Sequence, residues 1–285
     1  MKIISLLSLA LIVHNLLHAQ YDPSYAATGK ETIENEMYSV VEMTRKDQRV
    51  KVKYFADKDA SGKSVYNRYL EWSRNRSIIC VSVGTYFDDS GRPVGICIDD
   101  GRIINRTDEK KMDGLVIVYK TGGIVATNIK EGNLTLQNSS GTSSVLDLKN
   151  TLDRQKFFRW AEENDATVFQ THLLYYKNEF KIGADNSSQT KRERRMLAVA
   201  RDEDGNIRYY VVNLKSQNTL YNATKKIVSY LSEKTDDIIY LINLDTGYQD
   251  AMQVRRPDGK VINEPAFTGV ESLSVAKNLI AFYFE

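Results

Sequence analysis

Two apolar runs that each end in a glycine-containing turn constrain this chain more than any other feature. The first run, Ile79–Asp88, reaches its turn at Gly84, and the second, Tyr240–Gly247, reaches its turn at Asp245 and Gly247. A continuous apolar run indicates a buried strand, and glycine lets the chain turn sharply where the run stops. Each run is therefore predicted to bring polar groups to the rim of a site. Two such rims in one chain can form one cleft.

The first 19 residues have the pattern of an export signal. Lys2 supplies a positive charge, Ile3–Leu17 is apolar apart from a few polar residues, and Ala19 is a small residue before Gln20. This order is typical of a cleaved signal peptide. A retained membrane helix is the alternative, but the apolar run is shorter than the roughly 20 residues that span a bilayer. We expect a periplasmic, cell-surface or extracellular protein that begins at Gln20 and has no membrane span after signal removal.

Charge and histidine content exclude several classes of function. Loss of the signal removes His14 and His18, so His172 is the one histidine left. This excludes a multi-histidine zinc site and leaves a Ser-His-Asp mechanism with one candidate histidine. Without Lys2, 38 of the 39 basic residues remain against 37 acidic ones. Nucleic-acid binding needs a concentrated basic face, so we expect no nucleic-acid partner, and nothing indicates a metal or another cofactor.

The chain has two cysteines, Cys80 and Cys97. In an oxidising compartment, a turn near Ser90 and Gly91 could bring them together as a disulfide. Both also lie inside apolar runs, where a thiol behaves as a small buried hydrophobe, so their redox state stays open. Neither has a basic neighbour in the sequence that would lower its pKa, which argues against a nucleophilic cysteine.

The predicted organisation is one α+β domain, residues 37–285, after a loosely held polar arm at 20–36. Only four prolines occur and no Ser/Pro-rich linker divides the chain. Helical spacing of apolar residues predicts helices at 65–72, 152–164 and 222–233. The remaining apolar and alternating segments predict a domain dominated by mostly antiparallel β-sheet, with two or three helices packed against it.

The strands are predicted from apolar runs and alternation. They lie at 38–55 (as one strand or a hairpin), 77–83, 94–98, 115–119, 169–176, 197–200, 207–214, 238–244, 252–255, 260–262 and 279–284. Short Asp- and Gly-containing turns between 77 and 119 predict that consecutive strands there are antiparallel neighbours. The segment 132–146, rich in Asn, Ser, Thr and Gly, is predicted to be a surface excursion.

Seven short features follow one another along residues 77–285. They are Val83–Asp88, Pro93–Arg102, Asp113–Leu115, the strand at Leu173, the hairpin led by Arg195, the following helix and Ile242–Gly247. Their order resembles the phosphodiester glycosidases related to the mammalian uncovering enzyme, N-acetylglucosamine-1-phosphodiester alpha-N-acetylglucosaminidase. The resemblance implies a secreted or luminal enzyme that removes a sugar from a sugar-1-phosphodiester and leaves a phosphomonoester.

The chain departs from the family pattern in three places. Val83–Phe87 stands where the family has Asn-Gly-Gly-aromatic-Phe, and Asp245–Gln249 stands where it has Asp-Gly-Gly-Gly-Ser. Thr171–His172 replaces a Gly-Pro pair. These departures leave both an altered specificity and an inactive relative open. The positions that match are Gly84, Phe87, Gly95, Asp113, Gly114, Arg195, Asp245 and Gly247.

Cleavage of a glycosyl phosphate needs a carboxylate near the anomeric carbon, whereas the phosphate leaves with little protonation. Asp245 is the first candidate for nucleophile or base and Asp113 the second carboxylate, although both also fit as turn aspartates. Arg195 is predicted to hold the phosphate, since a guanidinium matches two phosphate oxygens; a surface charge is the alternative. The rest of the basic run Lys191–Arg195 is interpreted as a solvated loop before a strand.

Six further residues are candidates for substrate binding because they lie in these turns or beside a strand. The glycines would let a substrate approach the backbone, the threonines could donate hydroxyls, and the tyrosine could stack on a sugar. Turn chemistry explains the glycines and threonines equally well, and a structural hydrogen bond explains the histidine. These candidates are Gly84, Thr85, Tyr86, Thr246, Gly247 and His172.

Two functions are consistent with the sequence. One is an exported glycosidase that acts on a sugar phosphodiester or related glycoside, with Asp245 as catalytic carboxylate and Arg195 as phosphate anchor. The alternative is a non-catalytic carbohydrate-binding or surface-interaction protein on the same scaffold. The altered glycine motifs favour this alternative, whereas the retained Arg195 and Asp245 favour the glycosidase. Under either function, we expect the turns Gly84–Phe87 and Asp245–Gly247 to lie side by side and, with Arg195, to line one concave site.

Overall fold

The computed structural model describes residues 25–56, 62–138, 141–183, 190–247, 250–256, 258–266 and 272–285. The predicted signal at 1–19 lies outside the described residues. The α+β, mainly β fold predicted from the sequence is confirmed. In chain order the strands are β1 (Ala26–Ile33), β2 (Glu36–Thr44), β3 (Val50–Phe55), β4 (Ser77–Ser82), β5 (Cys97–Asp99), β6 (Arg102–Asn105), β7 (Gly114–Val118), β8 (Ile124–Asn128), β9 (Asn133–Gln137), β10 (Ser143–Asp147), β11 (Thr167–Thr171), β12 (Leu173–Tyr176), β13 (Glu179–Phe180), β14 (Arg192–Arg201), β15 (Ile207–Asn218), β16 (Asp237–Leu244), β17 (Met252–Arg255), β18 (Val261–Asn263) and β19 (Leu279–Phe284).

Three α-helices occur in the described residues, close to the predicted positions. They are α1 (Val65–Ser73), α2 (Thr151–Glu163) and α3 (Leu220–Ser232). Each begins after a polar residue whose side chain accepts hydrogen bonds from first-turn amides, which otherwise lack a partner: Ser64, Asn150 and Thr219. None of the helices in the described part of the chain is long and apolar enough to cross a membrane.

The strands form three large antiparallel sheets and one separate hairpin. The large sheet has the order β1-β2-β15-β14-β16-β12-β13, the middle sheet β6-β5-β11-β7-β8, and the C-terminal sheet β18-β17-β4-β19-β3. The hairpin consists of β9 and β10. Many neighbours are distant in sequence, as where β4 pairs with β17 and β19.

Each large sheet is buried on both faces. One face of every sheet contributes to a central core, represented by Leu197, Phe169 and Phe282. The opposite faces carry one helix each: α3 covers the large sheet, α2 the middle sheet and α1 the C-terminal sheet. Burial on both faces explains why several strands are almost continuously apolar. Each fully buried large apolar side chain contributes about 1.5–3 kcal/mol to stability.

The predicted loosely held arm at 20–36 contains an ordered strand. All eight residues of β1 pair with β2 at the edge of the large sheet. Within β1 only Ala26 and Ile33 are buried. Because the residues between them face solvent or are half-buried, the segment shows no alternation in its sequence, and the strand Ala26–Ile33 was not predicted.

Strand partners were the least predictable part of the fold. The segment 38–55 divides into β2 of the large sheet and β3 of the C-terminal sheet, rather than one strand or a hairpin. The strands predicted at 77–83, 94–98 and 115–119 do not pair with one another, because β4 lies in the C-terminal sheet and β11 separates β5 from β7; within this region only β5 and the unpredicted β6 are consecutive neighbours. An apolar run indicates that a strand is buried but carries no information about which distant strand it pairs with.

Two other segments differ from the predictions. The surface excursion predicted at 132–146 forms the hairpin β9–β10, whose Leu134, Leu136 and Leu146 pack under α2. The strand predicted at 169–176 divides at His172 into β11 of the middle sheet and β12 of the large sheet. The chain therefore crosses from one sheet to another at His172, and this crossing creates the candidate site.

Both cysteines lie in the central core. Cys80 is on β4 and Cys97 on β5, and no disulfide joins them. Burial raises the pKa of the Cys80 thiol to about 12, so it stays protonated at neutral pH. A protonated, buried thiol is a poor nucleophile.

Candidate functional site

The two glycine-containing turns meet at a junction of the three sheets. The amide of Asp245 donates a hydrogen bond of 2.8 Å to the carbonyl of Gly84. The amide of Asn243 donates to the carbonyl of His172 at 3.1 Å, and the Thr171 hydroxyl donates to the Asn243 carbonyl at 2.5 Å. The ends of β4, β11 and β16 are thereby fixed side by side.

The Gly84–Thr85 turn is held by Asn278 from the residues before β19. Asn278 Oδ1 accepts hydrogen bonds from the amides of Gly84 and Thr85, at 2.8 and 2.9 Å, and its Nδ2 donates to the Thr85 carbonyl. The Thr85 hydroxyl donates to the Gln170 carbonyl at 2.6 Å. Thr85 is buried, so its hydroxyl stabilises the contact between the Gly84–Thr85 turn and β11.

Gly84 is required by packing inside the protein. A Cβ atom at this position would lie 2.7 Å from the Tyr54 ring and 2.9 Å from Asn278 Oδ1. Such distances are shorter than van der Waals contact, so a larger residue would displace Asn278 and break its hydrogen bonds to Gly84 and Thr85. This close packing accounts for the glycine without a substrate.

Asp245 lies at the end of β16 and is partly buried. Its Oδ1 accepts a hydrogen bond of 2.9 Å from the Gly247 amide. Burial raises the pKa of the Asp245 carboxyl, while the Gly247 hydrogen bond and the positive charge of Arg195 act in the opposite direction. The neighbouring Thr246 hydroxyl donates to the Glu193 carbonyl at 2.9 Å, which ties this turn to β14.

A cleft of about 620 Å³ opens beside the junction. Three predicted site residues line it: Tyr86, Asp113 and His172. Asp245 is not a lining residue, but its amide is hydrogen-bonded to Gly84, two residues before Tyr86. Most other polar lining residues are cations, namely Lys110, Lys111, Lys130, Lys181, Arg192 and Arg194.

Tyr86 and His172 form an aromatic pair in the cleft, with ring centroids 5.7 Å apart and nearly perpendicular planes. The Tyr86 hydroxyl accepts a hydrogen bond from the side-chain amide of Asn243. Burial raises the Tyr86 pKa and lowers the His172 pKa; Asp113 opposes the histidine shift, and Arg194 adds to it. Both side chains are therefore neutral at neutral pH and can act as hydrogen-bonding groups.

Arg195 lies in the core, not in the cleft. Its side chain is fully buried; Nε donates to Asn213 Oδ1 at 2.8 Å and Nη2 to Asp250 Oδ1 at 2.5 Å. Nη1 donates to the Ala251 carbonyl at 3.4 Å. The guanidinium is thus engaged by the protein itself, and it has no exposed surface at which to receive the predicted phosphate.

The arginines that line the cleft are Arg192 and Arg194 of the same strand. Successive side chains of a strand point to opposite faces, so Arg194 faces the cleft because Arg195 faces the core. Arg194 donates to the carbonyls of Thr190 and Asn218, at 2.8 and 3.3 Å. Neither cleft arginine forms an ion pair with an acidic side chain in the described residues. The basic run interpreted as a solvated loop contained the signal for them.

Other charged groups of the cleft are partly neutralised. Lys130 forms an ion pair with Asp113, so the predicted second carboxylate already has a cationic partner. Lys181 pairs with Glu131 and Glu179, both at 2.8 Å. Lys110 and Lys111, like the two arginines, form no ion pair within the described part of the chain.

Gln170 is an organising residue that the sequence analysis missed. Its side-chain Oε1 accepts from the amides of Ile96 and Glu109, at 3.1 and 2.9 Å. Its Nε2 donates to the carbonyls of Glu109 and Met112. These bonds hold the loop that carries Lys110 and Lys111. A polar residue within the apolar strand β11 was the available signal.

Gly95 is matched to Gln170. The φ angle of Gly95 is +88°, and a Cβ atom there would lie 2.5 Å from Gln170 Oε1. Both the left-handed backbone and the close approach favour glycine at this position. The glycine is thus needed to keep Gln170, and through it the lysine loop, in place.

Comparisons with solved structures identify the scaffold. The catalytic domain of zebrafish N-acetylglucosamine-1-phosphodiester alpha-N-acetylglucosaminidase, auto-inhibited by its pro-peptide, is similar with a TM-score of 0.50 at 14% identity, over 94% of this chain and 87% of that one. A hypothetical protein from Synechocystis gives a TM-score of 0.50 at 11% identity, over 91% of this chain and 62% of the other. At these identities the likeness shows the fold alone.

No family model and no curated protein matches this sequence. The structural likeness shows a shared fold, and any activity has to be argued from the cleft.

Proposed function

We propose that the protein is an exported glycosidase that acts on a sugar phosphodiester or a related glycoside. The observation that most supports the proposal is that two arginines line the cleft, Arg192 and Arg194, while the carboxylate residue Asp245 is hydrogen-bonded through its amide to Gly84, two residues before the lining residue Tyr86. Cleavage of a sugar phosphodiester needs both elements, since the phosphate has to be held while a carboxylate acts at the anomeric carbon.

Arg192 and Arg194 take the role first predicted for Arg195. A guanidinium stays charged at any physiological pH and can donate two parallel hydrogen bonds to a phosphate. Arg194 donates hydrogen bonds to two backbone carbonyls, and no acidic side chain in the described ranges neutralises its charge. Phosphate binding would supply the missing counter-charge.

Asp245 is proposed as the nucleophile or base. Its raised pKa makes the carboxylate a stronger base than an exposed aspartate. Asp113, Tyr86 and His172 would contact the sugar or its phosphate from the same cleft. Because a phosphate leaves without much protonation, the reaction does not require a strong general acid, which suits a site whose histidine is neutral.

The test is the steady-state hydrolysis of a panel of glycosyl phosphodiesters and neutral aryl glycosides. Asp245→Asn should lower kcat on the phosphodiesters by roughly 100- to 10,000-fold, with substrate binding largely kept, because the amide preserves the shape of the side chain but removes its charge. Asp204→Asn, in the exposed turn between β14 and β15, is the matched control and should retain the parent rate.

The alternative is a non-catalytic carbohydrate-binding or surface-interaction protein. It predicts sugar binding without hydrolysis across the whole panel, and binding that Asp245→Asn leaves unchanged. That outcome would end the glycosidase proposal.

Export is part of the proposal and depends on the N-terminal 19 residues. Mass spectrometry of the protein recovered from its own host should find Gln20 as the first residue. An intact Met1 on a cytoplasmic product would contradict export.

A further inference from the structure

The cleft carries more positive charge than one phosphodiester needs. Four cleft cations form no ion pair within the described residues: Lys110, Lys111, Arg192 and Arg194. Against them stands one lining carboxylate outside the ion pairs described above, Glu109, whereas a phosphodiester would add a single negative charge. Cations gathered in one concave site repel each other and are stabilised by a ligand of opposite charge. The excess therefore indicates a ligand with more than one anionic group.

The four cations form two groups on different sheets. Arg192 and Arg194 belong to β14 of the large sheet, and Lys110 and Lys111 precede β7 of the middle sheet. His172 lies between β11 of the middle sheet and β12 of the large sheet, and it lines the cleft together with both groups. The remaining cleft lysines are neutralised by carboxylates. The uncompensated charge is thus concentrated in two places, next to one histidine.

The lysine loop is held in a defined conformation. Gln170 bonds to the amide of Glu109 and to the carbonyls of Glu109 and Met112, on both sides of the two lysines. Glu109 Oε1 also accepts from the Lys111 amide at 3.0 Å. A loop fixed in this way presents Lys110 and Lys111 with less loss of entropy on binding than a flexible one.

We infer that the ligand of this cleft is a sugar that carries two phosphate groups, one at the anomeric position and one elsewhere on the same unit. Arg192 and Arg194 bind the anomeric phosphate, and Lys110 and Lys111 bind the second. The cleft volume of about 620 Å³ is in the range of sites that enclose a whole small ligand. The assignment of the anomeric phosphate to the arginines rests on the proposed function.

Isothermal titration calorimetry at constant ionic strength tests the inference with three probes: glucose 1-phosphate, glucose 6-phosphate and glucose 1,6-bisphosphate. The bisphosphate should bind at least about tenfold more tightly than either monophosphate, because a second charge-assisted contact contributes about 1.4 kcal/mol or more. Equal affinity of the bisphosphate and the tighter monophosphate would overturn the inference.

Variants assign the second phosphate to the lysines. Lys110→Gln/Lys111→Gln should weaken bisphosphate binding about tenfold, to the level of the monophosphate. The control Lys149→Gln/Lys156→Gln removes the same two charges from exposed positions outside the cleft and should bind the bisphosphate like the parent. A bisphosphate advantage that survives in the Lys110/Lys111 variant, or is lost in the control, would contradict the inference.

The inference and the proposed function fail in different ways. Hydrolysis of simple phosphodiesters with no bisphosphate advantage would keep the glycosidase and reject the second phosphate site. A bisphosphate advantage that depends on Lys110 and Lys111, without hydrolysis of any substrate, would keep the two-phosphate site and reject the glycosidase.

Discussion

Strand β14 carries two adjacent arginines in opposite environments. Arg195 is buried in the core, where Asn213, Asp250 and a backbone carbonyl bind its guanidinium. Arg194 faces the cleft, where it contacts two carbonyls but no carboxylate of the described chain. Arginine therefore serves two purposes within a single strand. The charge of Arg195 is neutralised by the protein, whereas the charge of Arg194 is left for a ligand.

The difference shows how to separate structural arginines from binding ones. A buried charge without a partner is very unfavourable, so the core arginine comes with its own carboxylate and amide. A binding arginine can stay unpaired because part of it remains in contact with water. The Arg195 network also reaches the candidate site, since Asp250 and Ala251 follow the turn that contains Asp245.

The largest effect that tests this comparison is on folding stability. Arg195→Met should destabilise the protein by about 3–5 kcal/mol, because it leaves Asp250 buried without its cationic partner. Arg194→Met, the matched change on the other face, should cost only about 1 kcal/mol, for its hydrogen bonds to carbonyls. Urea-induced unfolding measures both free energies.

A further variant shows whether the buried charge is responsible. Arg195→Met combined with Asp250→Leu removes both partners and should recover most of the lost stability, since a buried ion pair and an apolar pair are of similar stability. If Arg195→Met and Arg194→Met were equally destabilising, the contrast between the core and cleft arginines would be wrong.

The next effect is on ligand binding. Arg194→Lys keeps the positive charge but loses the two-pronged donor geometry, so it should weaken binding of glycosyl phosphodiesters about tenfold. Binding of neutral glycosides should change much less. Arg201→Lys, at the exposed end of the same strand, is the control. Calorimetry with both ligand types gives the comparison, and an equal loss for neutral glycosides would remove Arg194 from phosphate binding.

Much of the fold could be predicted because burial leaves a local trace. The helices α1, α2 and α3 and the apolar strands β16 and β19 lie close to their predicted positions, since their period or composition reflects the faces they bury. The edge strand β1 could not be predicted, because only its two end residues are buried. Pairing between distant strands was equally inaccessible, since it depends on which apolar faces meet in three dimensions.

The candidate site was predictable in outline and not in detail. The two glycine-containing turns do lie side by side, joined by the bond between Asp245 and Gly84. The sequence could not show which arginine of the run faces the cleft, because a shift of one residue reverses the direction of every side chain in a strand. The role of Gln170 depends on contacts with a loop about 60 residues away and was likewise outside local pattern analysis.

The smallest effect concerns the charge state of His172. Burial lowers its pKa from the ordinary 6.5, Asp113 opposes this shift, and the positive charge of Arg194 adds to it. The folded protein therefore binds this proton less readily than the unfolded chain. The histidine's contribution to stability is fully present above pH 6.5 and is lost as the pH falls below 6.5 through the lower folded pKa.

Arg194→Gln should raise the pKa of His172 and reduce the loss of stability on acidification, because it removes the nearby positive charge. In a protein that begins at Gln20, His172 is the one histidine, so its imidazole proton signal can be followed by NMR through a pH titration. Arg201→Gln, on the same strand, should leave the titration unchanged. A His172 pKa that is the same in the parent and in Arg194→Gln would show that the cleft arginine is neutralised after all, and the contrast with Arg195 would then lose its electrostatic basis.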